Sequence, residues 1–211
     1  MSCLASEELL GCTSCSLHLT RTQVVPGHGN VNASIAFVAE APGYDEDQQG
    51  EPLVGAAGRR FDRQLEAAGL KREDVWLDNA VHCRPPGNKL RNYPDALARC
   101  PDLWLYKALY ALPKLKVVVA MGATAGGIWF PGVKATELST LARTFLPTAA
   151  AFGGSLPLSH LLRAYVAVGS FHPAAAVYQG GGWNHIDESI ATSMMNALDY
   201  SRILEASSNG S

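Results

Sequence analysis

Short, continuous apolar runs alternate with stretches of helical periodicity along most of this chain. Ser34–Ala39 is such a run, closed by Pro42-Gly43, and predicts a buried strand. Ala57–Leu70 places Phe61, Leu65 and Ala68 near helical spacing and closes at Gly69, which predicts a helix. Val75–Val81 predicts a second strand, stopped by Pro85-Pro86-Gly87. Pro94–Leu112 predicts a helix with proline in its first turn and Pro113 just past its end. Lys116–Ala120 predicts a third strand, after which Met121-Gly122-Ala123-Thr124 opens a short helix. Residues 132–160 carry no clear period. Ala164–Val168 predicts a fourth strand and Ile186–Leu204 a C-terminal helix, with residues 206–211 as a polar, disordered tail.

Apolar strands alternating with amphipathic helices imply an α/β fold with a parallel sheet covered on both faces. The expectation is a single three-layer αβα domain over residues 1–205 around a four-stranded parallel central sheet. In such sheets ligands bind outside the carboxyl ends of the strands. Polar residues follow the predicted strands there: Glu40 to Gly43 with Asp45-Glu46-Asp47, Asn79 with His82, Gly122, and His172-Pro173. Each has two readings. The acidic triplet is a solvated turn or part of a site. Asn79, in an apolar strand, recognises a ligand or holds a neighbouring loop, since a buried amide must satisfy its hydrogen bonds. His172 caps a turn or acts on a substrate, and Gly122 lets backbone approach a phosphate. His82, His160 and His185 are read as structural or surface residues.

Bulk properties narrow the class. The 211 residues fit one domain, and a net charge of -2 demands neither nucleic acid nor an anionic membrane. A nucleic-acid role needs basic residues gathered on one face. The N-terminus lacks the basic and apolar regions of a secretory signal, and no apolar run spans a bilayer. A cytoplasmic protein without disulfides is expected. Four of the five cysteines form a split pattern, Cys12-x2-Cys15 and then Cys83 and Cys100, with Cys3 outside it. Two distant pairs can close one thiolate site for zinc or an iron–sulfur cluster, and spacing alone separates neither from four ordinary buried thiols.

As an ordered set over about residues 10–200, these motifs resemble the uracil-DNA glycosylase superfamily, most closely its iron–sulfur branch, family four. Cys12-x2-Cys15 is followed by Leu17-His-Leu-Thr-Arg21-Thr. Ala39-Glu-Ala-Pro-Gly43-Tyr-Asp-Glu-Asp47 is similar to the family's first active-site motif, continued by Gly50-Glu-Pro-Leu53-Val-Gly55-Ala-Ala-Gly58. Asn79-Ala-Val-His-Cys83, then Cys100, Met121-Gly-Ala-Thr-Ala125 and Phe171-His172-Pro-Ala-Ala175 complete the set.

The resemblance implies a monofunctional DNA repair glycosylase that hydrolyses the N-glycosidic bond of uracil in single- or double-stranded DNA, acting as a monomer. It implies a structural [4Fe-4S] cluster on Cys12, Cys15, Cys83 and Cys100. Asn79 would pair with the uracil edge, and His172 would donate to uracil O2 as the anionic base leaves. Glu40, Ala41 and Gly43 would hold the base and its sugar. Glu46, with Asp47, would position or activate water. The amides of Gly122 and Ala123 would contact DNA phosphates, and a 173–178 loop carrying Val177 and Tyr178 would press into the duplex.

Departures bear on the activity. Leu53 stands where the family carries phenylalanine, so the stacking platform for the base is lost. Ala41 occupies the place of the catalytic aspartate of classical uracil-DNA glycosylases. Gly87–Pro94 lacks the insertion and histidine with which one relative cross-links to DNA, so no cross-linking is expected. The alternatives are a catalytically weak binding protein for uracil-containing or damaged DNA with the same fold, and a glycosylase of altered base specificity.

Overall fold

A computed structural model describes residues 2–3, 5–145, 165–178 and 182–208. Its strands are β1 (Ser2–Cys3), β2 (His28–Gly29), β3 (Ile35–Ala39), β4 (Trp76–Asn79), β5 (Val117–Met121), β6 (Ala142–Phe145) and β7 (Tyr165–Ser170). The α-helices are α1 (Glu7–Leu10), α2 (Tyr44–Gln49), α3 (Ala56–Ala67), α4 (Pro94–Cys100), α5 (Tyr106–Ala111), α6 (Gly122–Trp129), α7 (Pro173–Tyr178) and α8 (His185–Ser208).

The strands form one seven-stranded sheet in the order β1-β2-β4-β3-β5-β7-β6. The four strands expected from sequence, β4-β3-β5-β7, are its parallel centre. The expected all-parallel sheet is corrected to a mixed one, because β2 and β1 add antiparallel at one edge and β6 at the other. β6 lies in the stretch without a period, and residues 146–164 fall outside the described set.

The apolar runs form central strands because both of their faces are covered. Ile35, Phe37 and Ala39 pack with Phe61 and Leu65 of α3 and Ile190 and Met194 of α8. Ala36 and Val38 pack on the other face with Leu109 of α5 and Ala125 and Trp129 of α6. The helix expected over 94–112 is broken by a π segment, Pro101–Leu105, between α4 and α5. Pro101 has no N–H to give, and the widened turn follows directly on Cys100. α8 continues to Ser208, so residues 206–208 of the expected tail are helical, and residues 209–211 lie outside the described set. None of the described helices is long and apolar enough to cross a membrane.

From β3 the chain moves to β4 on one side and then to β5 on the other, so the carboxyl ends of β3 and β4 flank a switch in strand order. Sheets of this kind bind ligands at such a point.

Candidate active site and thiol lobe

A cleft of about 560 Å³ opens at that switch point. Ala39 and Asn79 pair across the last rung of β3 and β4, and both line the cleft. Glu40, Ala41, Gly43, Glu46, Leu53, His172, Val177 and Tyr178 line it too, so most of the residues predicted from sequence meet in one place.

Asn79 forms part of the floor. It is 2% exposed, and its Nδ2 is buried without a hydrogen-bond partner among the described residues. An orphaned amide donor costs on the order of 1–3 kcal/mol, so the position favours a ligand that brings a carbonyl acceptor. His172 accepts the Ala174 N–H on Nδ1 at 3.2 Å, which leaves Nε2 as the protonated nitrogen of a neutral ring. Loss of water around the imidazole pushes its pKa down to about 4, against the attraction of the Glu46 carboxylate. Gly122 lies directly against His172: its φ is +85°, and a Cβ there would sit 3.0 Å from the His172 Cβ.

The acidic triplet is neither a solvated turn nor a set of equivalent acids. It forms the first turn of α2, where negative charge suits the helix N-terminus. Glu46 accepts the Gly43 N–H on Oε2 at 3.0 Å, and the N–H groups of Val54 and Gly55 on Oε1 at 3.0 and 2.8 Å. One carboxylate therefore closes the motif 43–55 on itself. Asp47 does not line the cleft. It is buried and accepts the Thr22 N–H at 3.0 Å on one oxygen and 3.2 Å on the other, so both of its oxygens face that backbone group. Glu40 accepts from the Thr124 hydroxyl at 2.5 Å, joining the end of β3 to α6.

Leu53 is buried with φ +56°, a conformation rare outside glycine. Its carbonyl accepts from Arg72 and lies so close to Gly58 that a Cβ there would fall 1.7 Å from the oxygen. The segment expected as a loop over 173–178 is the short helix α7, which still presents Tyr178, 88% exposed, at the mouth of the cleft. Behind it Arg60, 2% exposed, donates to Asp187 and, at 2.5 Å, to the Gly182 carbonyl. Asn184 joins this network to α7 through the Ala176 carbonyl at 3.1 Å. Gly122 and Ala123 begin α6 beside the cleft rather than lining it.

Sequence reasoning missed several neighbours. Arg84 stacks over Tyr44, 5.1 Å from the ring centroid, and donates to Asn88 Oδ1 at 3.2 Å. Tyr44 and Asn88 both line the cleft. A second depression of about 520 Å³ shares Glu40 and Asn88 with it and carries Lys89 and Arg91. Arg84, Lys89 and Arg91, on either side of Pro85-Pro86, were the available signal for a basic flank.

All four patterned cysteines line one further cavity and form no disulfide. Three of them face N–H donors: Trp104 Nε1 to Cys12 at 3.3 Å, Arg21 to Cys83 at 3.2 Å, and the His82 peptide N–H to Cys100 at 3.5 Å, with the His82 ring nitrogen Nδ1 3.3 Å from the same sulfur. Such donors suit thiolate sulfur. Burial pushes the Cys83 thiol up to about 11, against the pull of Arg21. The N-terminal segment is tied to α4 by Ser16 to Asp95 at 3.2 Å and by Arg99 to the Ser14 carbonyl at 3.1 Å. No three Cys, His, Asp or Glu side chains among the described residues gather closely enough to hold a single metal ion.

Comparison with known proteins agrees with this geometry. The model of the Uracil DNA glycosylase superfamily matches residues 26–191. The chain is 37% identical over 172 residues to the type-4 uracil-DNA glycosylase of Archaeoglobus fulgidus, covering 82% of this chain and 81% of the relative. It is 43% identical over 131 residues to that of Thermotoga maritima, covering 62% and 67%. It is 33% identical over 173 residues to that of Sulfurisphaera tokodaii, covering 82% and 74%. With a family match over most of its length and a cleft assembled from the expected motifs, the chain belongs to the uracil DNA glycosylase superfamily.

Proposed function

We propose that this protein removes uracil from DNA by hydrolysing the N-glycosidic bond and leaving an abasic site. The buried Nδ2 of Asn79 at the cleft floor, without a partner among the described residues, carries the reading. A base turned out of the strand into the cleft brings a carbonyl to that donor. Uracil presents O4 beside N3–H, matching an amide, whereas cytosine presents the reverse pattern and leaves buried groups unpaired. As the C1′–N1 bond breaks, its electron pair passes to the base, and the His172 Nε2–H donates to the developing charge on O2. A neutral imidazole serves this role without surrendering a proton. Water adds to C1′ and loses a proton, which the departing uracil anion takes up, and the negative charge of Glu40 and Glu46 lining the cleft favours the cationic sugar. Glu46 acts chiefly as the anchor of the motif, since three backbone N–H groups already occupy its oxygens. Val177 and Tyr178 would hold the strand open, and the amides of Gly122 and Ala123, with the basic residues Lys89 and Arg91, would track phosphates.

Cys12, Cys15, Cys83 and Cys100 would hold a [4Fe-4S] cluster. The all-sulfur donor set and the N–H groups facing three of the sulfurs fit it. A lone tetrahedral zinc, with bonds of about 2.3 Å, draws its sulfurs to within roughly 4 Å of each other. The likeness to type-4 uracil-DNA glycosylases, the iron–sulfur branch, supports the cluster over zinc. Bound there, the cluster clips the N-terminal segment to α4 and need not change oxidation state. As part of the same reading, residues 1–205 act as one domain and as a monomer, in the cytoplasm, where such thiols stay reduced.

The test uses labelled strands carrying uracil alone, opposite G and opposite A, with thymine and hypoxanthine controls. Alkali-labile product from uracil strands, lost in Asn79→Ala and His172→Ala, is expected. Binding to uracil-containing DNA without product would instead establish a recognition protein.

A further inference from the structure

A peptide N–H and an imidazole ring from the segment that ends β4 meet on one carboxylate oxygen. Asp78 Oδ1 accepts the Asn79 peptide N–H at 2.8 Å and lies 2.9 Å from His82 Nε2. The opposite ring nitrogen of His82, Nδ1, lies 3.3 Å from Cys100 Sγ, and the His82 peptide N–H lies 3.5 Å from the same sulfur. Asp78 Oδ2 accepts from Trp76 Nε1 at 3.2 Å. Both Asp78 and His82 are fully enclosed.

The edge of the sheet explains why a carboxylate stands here. β2 pairs only with Trp76 and Leu77 of β4. The next N–H on that edge, at Asn79, lies beyond the end of β2 and takes the Asp78 side chain as its acceptor. A buried carboxylate is unfavourable unless its lone pairs are used, and here three donors use them. The group therefore fixes the backbone of the residue whose side chain forms the cleft floor.

We propose that Asp78 and His82 are positioning residues, a hydrogen-bonded relay that ties Asn79 in the cleft to Cys100 in the thiol lobe. The proposal rests on the uracil-glycosylase reading of the cleft. Small displacements of a positioning group lower rates steeply, by about 10²-fold per ångström in strong cases. The relay also holds the His82 ring against the Cys100 sulfur, and hydrogen bonding at a ligating sulfur tunes the potential of an iron–sulfur centre.

The experiment compares Asp78→Asn and His82→Phe, each alone and combined with Asn79→Ala, as holoproteins normalised by iron content. On single-stranded uracil DNA each single variant should lower kcat by about tenfold with KM little changed, and neither should lower kcat further in the Asn79→Ala background. Purely structural damage is additive in that cycle. His82→Phe should also shift the reduction potential of the iron–sulfur centre. Additive losses, a kcat like the parent's, or an unmoved potential each overturn the relay. If Asp78→Asn does not fold, His82→Gln, which keeps the volume but cannot hold both ends, is read in the same cycle, and full kcat in it overturns the proposal. A parent that releases no uracil fails the functional reading, and the His82→Phe potential then decides the relay. A parent without iron fails the cofactor reading, and the kcat cycle still decides.

Discussion

The carboxylate of Glu46 and the peptide N–H of Gly55 lie 2.8 Å apart, joining the first turn of α2 to the residue that caps α3. Its neighbour Asp47 turns the other way and holds Thr22. Adjacent acids thus serve different parts of the molecule.

Glu46→Gln should disturb both stability and activity. The amide can accept on one side, but its NH₂ then faces a backbone N–H, so a buried donor goes unpaired at about 1–3 kcal/mol. Asp47→Asn should lower the melting temperature and leave kcat near that of the parent. Thermal melts with single-strand kinetics on both variants check this, and a large kcat loss in Asp47→Asn at full folding would return that residue to the chemistry.

Leu53→Phe should improve uracil capture. The side chain lines the cleft at a backbone already held in the left-handed region by the Arg72 bond to its carbonyl. A ring there restores stacking worth about 1–3 kcal/mol. A lower KM on uracil strands is expected, measured under steady-state conditions at fixed salt.

The rate should not follow an ordinary histidine titration. With its pKa held down to about 4, His172 stays neutral across roughly pH 5–8. The kcat profile over that range should lack a step near the usual imidazole value of about 6.5. A step there that vanishes in His172→Ala would contradict the neutral donor.

Removing any one patterned cysteine should release the N-terminal segment. Cys100→Ser and Cys12→Ser should lose iron and visible absorbance together and melt at lower temperature. Because thiols must shed protons to bind metal, iron loss to a chelator should quicken as pH falls. Cys3→Ser should change none of these.

The Arg60–Asp187 pair should govern acid stability. Burial alone would raise the Asp187 carboxyl, but Arg60, Gln64 and the Asn184 N–H hold it below the usual carboxylate range. Its contribution is present above the unfolded value of about 3.9 and is lost as pH falls through the lower folded value. Asp187→Ala should cost about 3–5 kcal/mol, because it strands a buried guanidinium. Denaturant melts across that pH range, with duplex and single-strand kinetics alongside, would also show whether α7 depends on the pair.

The chain's own pattern determined the central strands, the helices α3 and α8 and the order of motifs, because residues buried on both faces of a sheet must be continuously apolar and a packed helix must repeat its apolar positions. It also determined that Glu40, Asn79 and His172 share one rim, since strand ends in a parallel sheet lie together. Only the tertiary structure decided what those residues touch. The two-residue strands β1 and β2 and the edge strand β6 carry too little pattern to register. One turn of α2 sends Glu46 to the cleft and Asp47 to Thr22, although sequence presents them as equals. His82, bland in sequence, gains its meaning from Asp78 four residues before it and Cys100 eighteen residues after it. Local pattern records burial and backbone preference, while a hydrogen bond depends on which distant atoms the fold brings within about 3 Å.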